Sequence, residues 1–326
     1  MYADDSTFFK SDICIKNLEN SVNNELLKVT NWFHANKLSV NVKKSNYMIF
    51  SPSLNNSPRL NLYISLNGTN TIIDQIPRLS ESQNSFKLLG VFIDEKLTLK
   101  EHISHVCKNI SKSLFFLSRV KKILPLYCRK QLYFSHIHSY IVYCLPLLSL
   151  ANKTDISKME RLQRKAIRTA YDVHYRQDTT HLYHDLETIS VSDLIERDIL
   201  MLMHNIYSYK KPKNLANFWK DKTTKHNYLL RSPIQFDEPL VKNIRLSKTP
   251  KFHFANIFNN FPGDFQCIAE RVEFITLLNK YYHAKYKSSN CNKKYCKFCN
   301  YVKWKNHHLQ YAITHVPKPR SYIKYL

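Results

Sequence analysis

The chain has 326 residues, 44% of them apolar, which is enough for two domains or for one domain with a sizeable tail and excludes wholesale disorder. Lys+Arg 49 against Asp+Glu 25 gives a formal charge of +24 and a pI near 9.6, an excess that points to a polyanion: nucleic acid first, an anionic membrane surface second. Abundant Lys, Asn, Ile and Tyr offer a blander source of the same excess, compositional bias. Gly68, Gly90 and Gly263 are the only glycines, where an ordinary usage of ~7% gives roughly twenty. A mostly helical chain follows, and a Gly-rich phosphate loop of the Walker or Rossmann kind is excluded. No apolar run reaches membrane-spanning length, and the start lacks a basic region followed by an apolar stretch. Cys14, Cys107, Cys128, Cys144 and Cys267 are scattered, as reduced intracellular thiols are, so a nuclear or cytoplasmic location is expected.

In chain order, Met1-Tyr2-Ala3-Asp4-Asp5 places two adjacent carboxylates before the apolar Phe8-Phe9, as a turn between two strands would. Adjacent aspartates repel, so a site holding both ionised supplies a hard cation such as Mg²⁺; a solvated turn is the common alternative. Ser11 or Asp12 is positioned to cap a helix to about Ala35, with Ile15, Leu18, Val22, Leu26, Val29 and Phe33 on one face. Lys37 to Phe50 alternates into a strand ending in Tyr47-Met48-Ile49-Phe50. Leu62 to Leu66, an Asn67-Gly68 turn and Thr71-Ile72-Ile73 predict a hairpin, and Phe86 to Ile93 a further strand. Thr98-Leu99-Lys100-Glu101 has capping-box spacing and opens a helix to about Leu124. Leu126 to Leu150 is an apolar helical stretch interrupted at Pro146. Ile156 to Tyr171 carries Ile156, Met159, Leu162, Ala166 and Ala170 on one face. Ser190-Val191-Ser192-Asp193 opens a helix to about Tyr209, which Lys210-Lys211-Pro212-Lys213 breaks as a linker would.

Three ordered segments, "YADDSTFF", "NWFHANKLSVNVKKSNYMIF" and "FKLLGVFIDEKLTLKEHI", carry a resemblance. Together they resemble the palm-to-thumb portion of reverse transcriptases from non-LTR retrotransposons of the jockey-like kind. Ser139 to Leu148, Met159 to Tyr171, His226 to Ser232 and Phe252 to Pro262 are similar to the family's later regions, although Phe258-Asn259 stands where a Trp-Asn is expected. The resemblance covers roughly residues 1–265. It implies an α+β fold, with a small antiparallel part of a polymerase palm (1–97), a helical thumb or connection (98–209) and a basic C-terminal region (210–326). It also implies an RNA-directed DNA polymerase acting on an RNA template, a DNA primer or target and deoxynucleoside triphosphates, with no membrane partner.

By the resemblance, Asp4 is the principal Mg²⁺ ligand and Asp5 the weaker one, in a two-metal site that activates the primer hydroxyl and holds the triphosphate. The family's other metal-binding aspartate and its fingers lie before the box. Nothing precedes Met1 here, so the expectation is no polymerisation by this chain alone; a non-catalytic RNA- or DNA-binding remnant is the alternative. Lys44 stands where the family places a lysine near the triphosphate, against the plainer reading of a solvated lysine. Leu89 and Gly90 belong to a hairpin gripping the primer end, or to an ordinary core strand with a Gly bulge. Arg161, Arg164, Lys165 and Arg168, with Lys158 beside them, form a ladder able to track phosphates, or a solvated charged face. In the tail, Cys291, Cys296, Cys299 and His307 offer three thiolates and an imidazole suited to tetrahedral Zn²⁺; the competing reading is a basic tail with free cysteines. Tyr295, Phe298, Tyr301 and Trp304 among lysines there have the make-up of single-strand binders.

Overall fold

The computed structural model describes residues 6–50, 59–64, 74–79, 85–220, 236–240, 247–262, 268 and 270–286. Asp4, Asp5, the Asn67-Gly68 turn, His226 to Ser232 and Cys291, Cys296, Cys299 and His307 lie outside these residues. The fold is α+β, and the chain divides into two compact units, Met1–His102 and Ile103–Leu326.

The first unit is built on α1 (Ile15–Ala35). It starts later than Ser11 or Asp12 because the Asp12 carboxylate accepts the Cys14 N–H at 2.8 Å, holding that residue in a turn. Leu18, Val22 and Leu26, each one turn apart, pack on Leu60, Leu62, Ile64 and Ile76. Polar neighbours on the helix fix the register: Asn61 N donates to Glu19 (3.1 Å), and Asn23 pairs with Asn61 O (2.9 Å) and Tyr63 N (3.1 Å). The expected strand over 37–50 is not formed. Asn41 instead caps a 3-10 turn, Val42–Lys44, and the stretch beyond it makes one isolated parallel bridge, Tyr47 with Arg78. Tyr47 spends its hydroxyl on both backbone groups of Leu60, at 3.0 Å each. The first antiparallel pair is β1 (Tyr63–Ile64) with β2 (Asp74–Gln75).

The apolar run at 86–93 is two strands rather than one. β3 (Phe86–Leu88) and β4 (Val91–Ile93) pair antiparallel around Leu89-Gly90, whose φ values of 46° and 88° are both left-handed. Positive φ at both central positions suits the right-handed strand twist; glycine takes it freely, whereas leucine does so at a cost. After β4, Asp94 accepts Thr98 N, Thr98 Oγ1 and Leu99 N at 3.0 Å each, forming a tight loop. Glu95 grips Arg78 through two bonds of 2.9 and 2.8 Å, and Ile49 N donates to the same carboxylate at 3.3 Å. One side chain thus joins three chain segments. Arg78 and Glu95 side chains are only 9% and 18% exposed, so Glu95→Gln, which removes the charge paired with a largely buried guanidinium and one of its two hydrogen bonds, should cost about 1–3 kcal/mol. Urea denaturation checks this.

α2 (Lys100–Val120) crosses the boundary between the units and ends before Leu124. Within the second unit it buries Ile103, Val106, Ile110, Leu114 and Leu117. α3 (Leu126–Tyr133), a single π turn (Phe134–His138), α4 (Ser139–Val142) and α5 (Leu145–Leu148) follow. The break falls at Tyr143-Cys144, with Cys144 left-handed at φ 56°, rather than at Pro146. Pro146 lies at the start of α5, where no N–H is needed. α6 (Lys153–Tyr171), α7 (Thr180–Asp185), α8 (Val191–Tyr209), α9 (Lys213–Ala216), α10 (Pro250–Asn259) and α11 (Arg271–Lys285) complete the described elements. α5, α6, α10 and α11 all pack on α8, which buries Leu194, Ile195, Ile199, Leu200, Met203 and Ile206. Asn259, beside Phe258, closes a reciprocal pair with the Phe236 backbone, both bonds 2.9 Å. No described helix is long and apolar enough to cross a membrane.

His138 closes the π turn, and burial, helped by the Arg197 charge, lowers its pKa from 6.5 to about 4. The folded state keeps the ring neutral while the unfolded chain takes up a proton. Stability is therefore fully present above pH 6.5 and is lost as pH falls towards 4. Burial also lowers His204, His253 and His283. The expected outcome is a shallower fall in melting temperature across this window for His138→Leu than for wild type.

Candidate nucleic-acid interface

α6 gathers four of the residues singled out above. Ile156, Met159, Gln163, Ala166, Ile167 and Ala170 are buried; Gln163, not Leu162, completes the inward stripe. At ~100° per residue, Lys158, Arg161, Arg164, Lys165 and Arg168 fall within about 120° of one another, centred opposite that stripe. Packing therefore turns the cations outward as one flank. Lys158 is neutralised by Asp155 at 2.7 Å. Arg161 and Lys165 are exposed and have no ion pair among the described residues.

Arg164 and Arg168 are half-buried and line a cleft of about 460 Å³ with Glu160, Asp178, Tyr183 and Tyr286. Arg168 Nε donates to Gln177 O at 2.7 Å, which fixes the guanidinium. Glu160 accepts Ser192 N (3.2 Å) and Ser192 Oγ (2.6 Å), and Asp178 bonds Thr180 N (3.3 Å) and Thr180 Oγ1 (3.1 Å). Burial raises both tyrosine hydroxyls well above the ordinary phenol range, so they stay protonated. Two guanidiniums thus face two carboxylates, and the uncompensated charge of the flank lies at its outer edge, on Arg161 and Lys165.

What holds this flank still is a buried polar hub. Gln163, fully buried, donates to Ile189 O (2.9 Å) and Tyr133 OH (3.3 Å) and accepts from Tyr183 OH (3.0 Å) and Val191 N (3.1 Å). Burial pushes the Tyr133 hydroxyl up to about 12, against the lowering effect of its hydrogen bonds to Gln163 and Thr188. The start of α8 is saturated with protein partners: Ser190 N bonds Tyr286 OH (2.9 Å), Ser192 N bonds Glu160, and Asp193 N bonds Ser190 Oγ (3.3 Å). Tyr286 also bonds the Asp193 carboxylate, entering the predicted capping box from α11. This helix end is a joint, not an anion seat. Gln163, Glu160 and Tyr286 went unread in the sequence. A glutamine on the apolar stripe of a helix was the one available signal.

The other predicted residues that are described lie in the first unit. Lys44 is exposed on its 3-10 turn, and Leu89, 53% exposed, and Gly90 form the β3–β4 tip. No cluster of three or more His, Cys, Asp or Glu suited to a metal occurs among the described residues.

No protein-family model and no solved structure matches the chain. It is 23% identical over 218 residues, 66% of its length, to the "RNA-directed DNA polymerase from mobile element jockey" of Drosophila melanogaster. It is 25% identical over 199 residues to the "Probable RNA-directed DNA polymerase from transposon BS" of the same fly, and 22% identical over 206 residues to the jockey polymerase of Drosophila funebris. These matches cover 60% and 62% of the chain. The chain spans about a fifth of the curated relatives it matches, 22%, 21% and 21% of their lengths. It is thus similar to part of three proteins named as RNA-directed DNA polymerases of mobile elements.

Proposed function

We propose that this chain is the palm-to-thumb portion of an RNA-directed DNA polymerase of a non-LTR mobile element, and that its helical unit holds RNA or DNA against the outer flank of α6. The observation that carries the reading is the placement of Arg161 and Lys165, exposed and without carboxylates, on a helix whose opposite face is locked into the core. Lys and Arg so placed neutralise phosphates and release counterions, a sequence-independent contact that suits a polymerase handling many templates. The likeness to three polymerases of mobile elements supports the same partner.

Asp4 and Asp5 supply hard oxygen donors of the kind Mg²⁺ takes, and Lys44 a cation for a triphosphate. Cys291, Cys296, Cys299 and His307 supply a donor set for Zn²⁺. These roles extend the proposal to the catalytic corner and the tail. Two assays test it. Fluorescence anisotropy with a labelled 20-nucleotide RNA and its DNA counterpart should show binding by the wild-type chain; no binding at low salt overturns the reading. Primer extension with Mg²⁺ separates polymerase from non-catalytic binder: incorporation abolished by Asp4→Ala assigns catalysis, and its absence in a chain that binds assigns the binder.

A further inference from the structure

α2 carries a second surface, to which none of the predicted site residues belongs. Viewed down its axis at ~100° per residue, Lys108, Lys112, Phe115 and Arg119 fall within about 60° of one another. The buried Ile103, Val106, Ile110, Leu114 and Leu117 lie on the opposite side. All four stripe residues are exposed, and the three cations have no carboxylate partner among the described residues. Phe115 is 62% exposed and the adjoining Phe116 51%, with the Arg119 guanidinium over the Phe115 ring at 5.1 Å. From Glu101 to Asp155 the chain has no acidic residue, so nothing on this helix beyond its first turn balances the charge.

The helix that carries the stripe comes near α6 at both ends. Lys121, just past α2, pairs with Asp172, just past α6, at 2.6 Å, and Cys107 lies within electrostatic reach of Lys158 and Asp155 near the start of α6. The two helices therefore run in the same direction with corresponding ends near each other, and both turn cations outward. α6 presents cations without exposed aromatic rings; α2 interleaves them with two phenylalanines. Phosphate alone gives no reason for a phenylalanine in water, whereas an unpaired base does: its face stacks on the ring while its phosphates meet the flanking lysines. Bases within a duplex are already stacked and offer no such face.

We propose that the Lys108–Lys112–Phe115–Arg119 stripe is a seat for single-stranded nucleic acid, with Phe115 and its guanidinium cover as the base-stacking platform. The proposal rests on the nucleic-acid reading above and adds a strand-state preference to it. The test uses the full chain and four probes: unpaired 12-nucleotide RNA and DNA, and blunt RNA–DNA and DNA duplexes of the same length. Phe115→Ala should weaken binding of the unpaired probes by roughly 5- to 100-fold, within the worth of one stacked base, and leave duplex affinity unchanged. Phe115→Trp should retain wild-type affinity, while Phe115→Leu, apolar but without a π face, should behave as the alanine variant. The RNA and DNA arms tell which strand the seat prefers.

Equal loss on single strands and duplexes, or full affinity in Phe115→Leu, overturns the stacking platform. Unchanged single-strand affinity in Phe115→Ala, together with weakened binding in Arg161→Ala/Lys165→Ala, overturns the stripe and leaves the α6 reading standing. Self-association that Phe115→Ala abolishes without altering oligonucleotide affinity would assign the stripe to a second copy of the chain instead. No binding of any probe by the wild type removes both.

Discussion

Gln163→Leu is expected to destabilise the helical unit by about 3–5 kcal/mol, because one side chain satisfies four buried groups at once. Leucine fills similar space but leaves Ile189 O, Val191 N, Tyr183 OH and Tyr133 OH without this partner. The first two are backbone groups at the start of α8, where no water replaces the bond, and the two hydroxyls are held in a region that already raises their pKa. For a unit of this size the corresponding fall in melting temperature is roughly 6–20 °C. Urea denaturation followed by circular dichroism measures it. A loss below about 1 kcal/mol would show that the hub does not tie α6 to α8.

Charge reversal on the α6 flank is expected to have the largest effect on binding. Losing two phosphate contacts, each contributing a salt slope of ~0.7–0.9, removes roughly 25- to 60-fold of affinity at ~0.1 M salt, and the added repulsion brings Arg161→Glu/Lys165→Glu to on the order of 100-fold. Both side chains are exposed and make no ion pair among the described residues, so the folded state should be unaffected. Lys158 supplies the internal comparison. It already spends its charge on Asp155 at 2.7 Å, so Lys158→Ala should weaken binding by much less than Lys165→Ala. Anisotropy titrations with one RNA at one salt concentration measure all three variants.

The contrast between these two residues marks where sequence reading reaches and where it stops. The α6 ladder was legible because helical periodicity alone turns Arg161, Arg164, Lys165 and Arg168 to one side. Periodicity could not divide them: Arg164 and Arg168 face Glu160 and Asp178 across a cleft built by residues distant in the chain. Gln163 was hidden for the same reason, since its four partners come from α3, α7 and the turn into α8. The capping serine of α8 was readable, but Tyr286 enters that cap from some ninety residues downstream.

The first unit shows the limit more sharply. The alternation over 37–50 has the period of a strand, yet Asn41 diverts the chain into a 3-10 turn and Tyr47 spends its hydroxyl on Leu60. A local cap and one long-range hydrogen bond outweigh the pattern. At 86–93 the resemblance implies a hairpin at Leu89-Gly90, whereas the apolar run alone reads as one strand, because leucine, rather than asparagine, precedes Gly90 in the turn. The stripe on α2 was within reach: an acid-free stretch with Lys108 and Lys112 one turn apart and Arg119 two turns further on points to a polyanion from the sequence alone. Its two exposed phenylalanines look like core residues until packing leaves them outside.

The salt dependence of RNA binding tests the central claim most directly. The slope of log Kobs against log[salt], measured for the wild type and for Arg161→Ala/Lys165→Ala, counts the phosphate contacts that the α6 flank makes. The account predicts a steep negative slope for the wild type, shallower by about 1.4–1.8 in the double variant. A wild-type slope near zero, or an identical slope in the two proteins, would contradict it.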